Sequence, residues 1–457
     1  MRYDSALDPG VRSVTTKPSI ALIGAGGVRA PLFIQAAMRR DFLGEIRLYD
    51  ISRDHLDRMH WIARLLLEKE RSPVHVLQVC NTIEEALEGV RAAVVTIRPG
   101  GIQRRAQDEE AALDAGVLGQ ETVGVCGCAM AMRTLPALLH IAGALRERSP
   151  DAWLLNFSNP VGITTYGLHR SGFTRTIGIC DSANHAIYDA CQYVNADPDE
   201  MHPEAFGLNH LSWTGKLWFR GKDLLPKLLG DETFVSRYQD LFKALQFRKT
   251  GLFYNEYLYY YYYAQKALEA ICREHPSRGR YLALKEERLI TSMDGLRSEG
   301  RDEEALNRFL EYHAERNASY MTYARSGKIR PEGNLAGAEG YAGVALDFLE
   351  SFELGKERTR VLVVPNGEAI QNLMRDTVVE VSCALSRHRI TTQRISDIPE
   401  SCMELMKRVA HYECLTAEAI LDKDTYKMRQ ALCVHPLVGE SNADMVIEAL
   451  NLEPLKI

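Results

Sequence analysis

Cysteine is sparse in this chain: ten in 457 residues, scattered except for Cys126-Gly127-Cys128. That density excludes a secreted disulfide framework, so most thiols are expected to act as small buried apolar groups. Long apolar runs are missing too. Nowhere do about 18 apolar residues follow one another, as a membrane-spanning helix requires. The segment Met1 to Pro18 is polar, lacks the apolar stretch of a signal peptide and is expected to be a disordered arm. A cytoplasmic chain without a membrane partner is the expectation. Excess positive charge is also absent: a formal net charge of −6 leaves no basic footprint for nucleic acid. It does not exclude an acidic small molecule, because net charge says nothing about one pocket.

What is present is an ordinary globular composition, 46% apolar and 25% charged, over a length that allows two or three domains. The first half alternates short apolar strands with helices. Strands are expected at Ser19–Ile23, Glu45–Asp50, Val74–Cys80, Ala92–Ile97, Ala152–Phe157 and Arg175–Cys180. Helices are expected at Pro31–Arg40, Arg53–Arg71, Ile83–Leu87 and Leu135–Arg148. This alternation predicts a doubly wound parallel sheet. Glu204–Leu208 follows as a further strand. Beyond about residue 220 the texture is helical, with one periodic helix over Arg301–Arg325. A late strand pair is expected at Val361–Val364 and Val378–Val381. The organisation predicted is an arm (1–18), a dinucleotide-binding domain of Rossmann type (19–200) and a mostly helical α+β domain (201–457).

Gly24-Ala25-Gly26-Gly27 follows the first strand and opens a helix. Glycines there let the backbone approach a pyrophosphate, and the helix N-terminus offers it free N–H groups. Asp50 ends the next strand, where a carboxylate binds the ribose hydroxyls of NAD and repels the extra phosphate of NADP. Gly24, Gly26, Gly27 and Asp50 are therefore the candidate cofactor residues. The third glycine of the strict pattern is replaced by Arg29. A simple NAD-dependent 2-hydroxy-acid dehydrogenase would satisfy these features alone.

Cys180 and His210 each end an apolar strand, in Gly178-Ile179-Cys180-Asp181-Ser182 and Gly207-Leu208-Asn209-His210. Strand ends are where open α/β sheets bind ligands. A thiolate and an imidazole suit a divalent first-row ion, and two protein ligands leave positions for substrate. On residue type alone, Cys180 is more often a core thiol and His210 a hydrogen-bonded structural histidine.

Several motifs in order then resemble one family. They are Gly119-Gln120-Glu121-Thr122 with Arg133; the run Ser149 to Pro160 ending in Asn156-Phe157-Ser158-Asn159-Pro160; Gly207 to His210; Asn255-Glu256-Tyr257-Leu258-Tyr259-Tyr260-Tyr261; and Asn366-Gly367. From Ile20 to about Leu450 the chain resembles glycoside hydrolase family 4, the NAD- and metal-dependent glycosidases. The resemblance implies a fold like that of lactate and malate dehydrogenases and a homodimer or homotetramer. Cys180 and His210 would ligate Mn²⁺ or a similar ion. Tyr257 would be the base and Asp181 the acid. Asn159 and Arg98 would contact the sugar, with Arg98 also beside the cofactor. It further implies oxidation at carbon 3 by NAD, elimination, water addition and re-reduction, an exception to paired-carboxylate glycoside hydrolysis.

In this family the tetrad that starts at the metal cysteine tracks substrate. Cys-Asp-Met-Pro accompanies 6-phospho-α-glucosidases, Cys-Asn-Val-Pro the β enzymes and Cys-His-x-x unphosphorylated substrates. Here it reads Cys180-Asp181-Ser182-Ala183. The aspartate favours a 6-phospho-α-glucoside; Ser182 and Ala183 depart from the pattern and leave an unphosphorylated glycoside or a uronide as the alternative. Of two arginines after the tyrosine run, Arg278 and Arg280, the second is the expected phosphate ligand. Read from residues alone, Tyr257 is a half-buried helix aromatic, Asp181 a helix N-cap, Asn159 a turn former and Arg98 a loop cation. A catalytically silent sugar sensor is the third reading, prompted by Ala183 and Cys126.

Overall fold

Six short apolar segments in the first 180 residues can be buried only if both of their faces are covered, and helices do this. In the computed structural model, which describes residues 17–74, 76–274, 276–325 and 340–452, they are β1 (Ser19–Ile23), β2 (Glu45–Tyr49), β3 (Leu77–Val79), β4 (Ala92–Val95), β5 (Trp153–Asn156) and β6 (Thr176–Gly178). All are parallel, in the spatial order β3-β2-β1-β4-β5-β6. The helices α1 (Ala30–Arg39), α2 (Arg53–Lys69), α3 (Ile83–Leu87), α4 (Gly101–Asp114), α5 (Val125–Arg148), α6 (Val161–Arg170) and α7 (His185–Val194) connect or follow them. Ser52 caps α2 by accepting the His55 N–H, and Thr82 caps α3 by accepting that of Glu85. The doubly wound sheet is therefore as expected. The expected N-terminal arm, up to residue 16, lies outside the described residues.

Helix α5 alone is long and apolar enough to cross a bilayer by length and composition, among the described residues. Of its most apolar window 72% is buried inside the fold, which makes it a core helix.

In the second half the strands divide between two sheets. β7 (Met201–Leu208), β8 (Leu211–Phe219), β9 (Lys222–Asp223) and β10 (Phe253–Tyr254) form a separate small antiparallel sheet. The late strands, β11 (Arg358–Pro365), β12 (Val378–Ser386) and β13 (Arg389–Thr392), instead extend the first sheet to nine strands. β11 runs antiparallel to β6, pairing Val363 with Gly178. Gly178 permits that approach, since a Cβ there would sit 2.8 Å from Val363 Cβ. A cut near residue 200 thus does not separate two sheets. Buried ion pairs fasten the junction: Arg360 meets Asp347 at 2.6 Å and Arg40 meets the same carboxylate at 2.6 Å. The helix expected over Arg301–Arg325 stops sooner, at Asp302–Ala318, and the strand expected over Val74–Cys80 shortens to Leu77–Val79.

Candidate active site

One large cleft, about 1890 Å³, opens along the carboxyl ends of the parallel strands. Pockets for single small ligands run to about 300–1,000 Å³, so this volume suits a dinucleotide with a second ligand beside it. Five of the six parallel strands deliver candidate residues at their ends. Gly24 to Gly27 follow β1, Asp50 follows β2, Arg98 follows β4, Asn159 follows β5, and Cys180 and Asp181 follow β6. Gly24, Gly26, Gly27, Asp50, Arg98, Asn159, Cys180, Asp181, His210 and Tyr257 all line the cleft.

At the dinucleotide end Gly24 and Gly26 have no room for a side chain. Gly24 has φ +89°, and a Cβ on it would lie 2.4 Å from the Thr96 carbonyl oxygen. A Cβ on Gly26 would lie 2.9 Å from the Asp50 carboxyl. The Asp50 carboxylate accepts the N–H groups of Gly26 and Ser52, each at 2.9 Å, so it is aimed across the turn. The helix begins at Ala30 and Arg29 faces the cleft, so no close packing demands glycine at position 29. These features fit a nicotinamide dinucleotide with two free ribose hydroxyls.

At the other end, His210 occupies the turn between β7 and β8 with φ +64°, a left-handed conformation uncommon outside glycine. Thr122 Oγ1 lies 2.9 Å from its Nδ1, and Cys180 Sγ lies 3.5 Å from its Nε2. With Nδ1–H donated to Thr122, the lone pair of Nε2 faces the sulfur. Burial keeps the imidazole neutral, pushed down to about 4, and pushes the Cys180 thiol up. A neutral imidazole and a cysteine sulfur converging on one side of a cleft form a donor set for a divalent first-row ion. Among the described residues no group of three or more His, Cys, Asp or Glu is placed to hold a metal ion.

Tyr257 stacks on His210, with ring centroids 3.8 Å apart. Burial first, and then the Glu256 carboxylate, push its hydroxyl well above the usual tyrosine range. Asp181 heads a three-residue 3-10 helix without any side-chain cap hydrogen bond, so the N-cap reading of it fails. Beneath Tyr257, Arg105 binds Glu109 at 2.8 Å and Glu121 at 2.9 Å. Arg98 pairs with Glu121 as well. Burial alone would raise the Glu121 carboxyl, but Arg105 and Arg98 hold it well below the usual range.

The expected phosphate ligand is placed differently. Arg280 lies outside the cleft, its guanidinium on Glu110 at 2.7 and 2.9 Å. Arg278 lines the cleft instead and, among the described residues, donates to neutral acceptors, chiefly Ser319 Oγ at 2.8 Å and the Arg316 carbonyl at 2.7 Å. Burial and the neighbouring Arg105 push its pKa down. Thr122, Asn255 and Arg278 lie in stretches singled out by motif, whereas Ser182's contact with Cys180 and the buried Glu380 carried no sequence signal. Cys126 and Cys128 are buried thiols away from the Cys180–His210 pair: Cys126 donates to the Asp108 carbonyl and Cys128 touches Met428 Sδ.

Fold and cleft together define an α/β enzyme of the nicotinamide dinucleotide-binding class, with a metal-donor pair at the substrate end. The model of the family 4 glycosyl hydrolases matches residues 19–191, and that of the family 4 glycosyl hydrolase C-terminal domain matches residues 205–438. The chain belongs to glycosyl hydrolase family 4, and the hydroxy-acid dehydrogenase reading falls, since both halves match glycosidases. Its similar relatives include a probable 6-phospho-beta-glucosidase of Bacillus subtilis (strain 168), 26% identical over 92% of each chain. A maltose-6'-phosphate glucosidase of the same organism is 26% identical over 94% of each. Among solved structures, the 6-phospho-beta glucosidase from Thermotoga maritima with manganese, NAD+ and glucose-6-phosphate superposes with a TM-score of 0.79. It is 24% identical, over 96% of this chain and 100% of that one. A 6-phospho-alpha-glucosidase from gut microorganisms, in complex with NAD and Mn2+, gives 0.77 at 21% identity, over 96% and 99%. Relatives of both anomeric specificities thus share the fold.

Proposed function

We propose that the chain hydrolyses 6-phospho-α-glucosides, with NAD⁺ on the Gly24–Gly27 turn and a divalent ion, Mn²⁺, on Cys180 and His210. The observation that carries this reading is the 3.5 Å approach of Cys180 Sγ to His210 Nε2 in the wall of the dinucleotide cleft. When bound, the two groups supply a hydride acceptor for sugar carbon 3 and a Lewis acid for the ketone formed there. The chain's own residues do the rest. Tyr257, beside His210, takes the proton from carbon 2, made acidic by the adjacent ketone, as a phenolate, which a cation bound at Cys180 and His210 would favour against the effect of burial. Asp181, on the residue after Cys180, protonates the leaving glycosidic oxygen. Asn159 and Arg98 orient the ring from the ends of β5 and β4. Arg278, which lines the cleft and among the described residues is held by neutral acceptors, receives the 6-phosphate.

The anomer rests on Asp181, and the phosphate on Arg278. A guanidinium recognises carboxylate as readily as phosphate, so a uronide is the second reading. The test is turnover of p-nitrophenyl 6-phospho-α- and 6-phospho-β-glucosides, the unphosphorylated α-glucoside and an α-uronide, each with NAD⁺ and Mn²⁺. Expected is turnover of the 6-phospho-α-glucoside without accumulation of NADH. Turnover of only the β anomer, the free glycoside or the uronide would overturn the substrate assignment, and steady NADH build-up would overturn the mechanism.

A further inference from the structure

A chain of buried polar side chains joins the two loops that carry Cys180 and His210. Glu380 on β12, 1% exposed, accepts from Asn209 Nδ2 at 3.0 Å and from Ser212 Oγ at 2.7 Å. Asn255 Nδ2 reaches Ser212 Oγ at 3.1 Å and Ser182 Oγ at 3.0 Å. Ser182 Oγ lies 3.2 Å from Cys180 Sγ.

Counting hydrogens fixes the direction of these bonds. The Tyr257 backbone N–H can only donate, and it donates to Asn255 Oδ1 at 3.0 Å. The Asn255 amide therefore cannot be flipped, and its two N–H groups are those facing the serines. Ser182 Oγ is thereby an acceptor from Asn255, and its single hydrogen is left for the sulfur. This arrangement holds whatever the protonation of Glu380, because Asn255 alone sets the Ser182 bond.

We infer that Ser182 is a positioning residue for the metal-ligating sulfur: its hydroxyl donates to Cys180 Sγ and is aimed there by Asn255. The inference rests on the reading of Cys180 as a metal ligand. Donors around a ligating thiolate draw electron density from the sulfur and tune its bond to the ion. Removing the hydroxyl raises the sulfur lone pairs in energy, so an electron passes from sulfur to metal at lower energy.

Cobalt reports this directly, through the thiolate-to-Co²⁺ charge-transfer band of the full-length protein loaded with Co²⁺. Ser182→Ala and Ser182→Val are expected to shift the band to longer wavelength. Ser182→Thr, nearly isosteric with the valine variant, is expected to return it to the wild-type position. NAD⁺ affinity, which depends on the distant Gly24–Gly27 turn, serves as the check that each variant is folded. A band unmoved in both Ser182→Ala and Ser182→Val, at full metal occupancy, would overturn the inference and leave the metal site standing. No band in the wild type, or one that survives Cys180→Ser, would instead overturn the metal reading itself.

Discussion

The ring of Tyr257 lies flat on the imidazole of His210, with centroids 3.8 Å apart and planes 7° from parallel. The proposed base and a proposed metal ligand are thus fixed by one contact. That contact belongs to the ring and not to the hydroxyl. Tyr257→Phe should therefore keep the stack, Mn²⁺ affinity and NAD⁺ affinity while losing the proton acceptor. General-base loss typically costs about 10²–10⁴-fold in rate, and kcat should fall in that range. Exchange of the carbon-2 proton with solvent in bound product should stop as well. A phenylalanine variant within tenfold of wild-type kcat would remove Tyr257 from the chemistry.

Gly26 offers a matching test at the other end of the cleft. A Cβ there would lie 2.8 Å from His55 Cβ and 2.9 Å from the Asp50 carboxyl. Gly26→Ala must push Asp50 aside and break the 2.9 Å bond between them. NAD⁺ binding measured calorimetrically should weaken by at least about tenfold, the equivalent of one hydrogen bond to a charged group. Mn²⁺ binding should not change. Unchanged NAD⁺ affinity would mean that the dinucleotide does not depend on this turn.

Much of the site was legible because it sits at strand ends. Gly24 to Gly27, Asp50, Asn159, Cys180 and Asp181 each close an apolar run that reads as a strand without help from the rest of the chain. His210 was visible by motif, but its left-handed backbone was not, since asparagine and glycine are the residues that announce such turns. Glu380 lies in the plain strand run Val378-Val379-Glu380-Val381, and only the packing of β12 against β7 of the other sheet brings its carboxylate to Asn209 and Ser212. The pairing of the late strands was illegible for a related reason. Whether a late strand pair starts a new sheet or extends an old one is a long-range choice, and the small Gly178 that admits β11 gives no local signal of it.

The choice between Arg278 and Arg280 turns on helix geometry. Both lie in the first turn of the helix Arg278–Ser298, capped by Ser277, whose Oγ accepts the Arg280 N–H. Residues two apart on a helix point roughly 200° from each other, so only one of the pair can face the cleft. Arg278→Ala should raise KM for a phosphorylated substrate by about 10–100-fold, consistent with roughly 1.5–3 kcal/mol for charge-assisted hydrogen bonds. Its KM for the unphosphorylated analogue should barely move. Arg280→Ala removes a partly exposed ion pair with Glu110 and should leave both KM values within about twofold. Equal effects of the two substitutions on the phosphorylated substrate would contradict the placement of the phosphate.

Glu413, on the helix Glu400–Asp422, adds a pH dependence of stability. Its carboxyl presses against Gly162 of α6, where a Cβ would come within 2.5 Å of Oε1. Burial first, and then the Glu380 carboxylate, push it up to about 8, against an ordinary value near 4.5. The folded chain therefore holds a proton that the unfolded chain has released between about pH 4.5 and pH 8, so stability falls as pH rises through that window. Glu380, pushed up to about 7, acts in the same direction. His210, pushed down to about 4, is neutral in both folded and unfolded chains above its ordinary value of 6.5 and adds no slope there. Glu413→Gln keeps a neutral group of the same size at every pH. Its Tm should match the wild type near pH 5 and exceed it increasingly towards pH 8, with the gap level beyond. Parallel Tm curves for the two proteins from pH 5 to pH 8.5 would show that Glu413 ionises in the fold as it does in water.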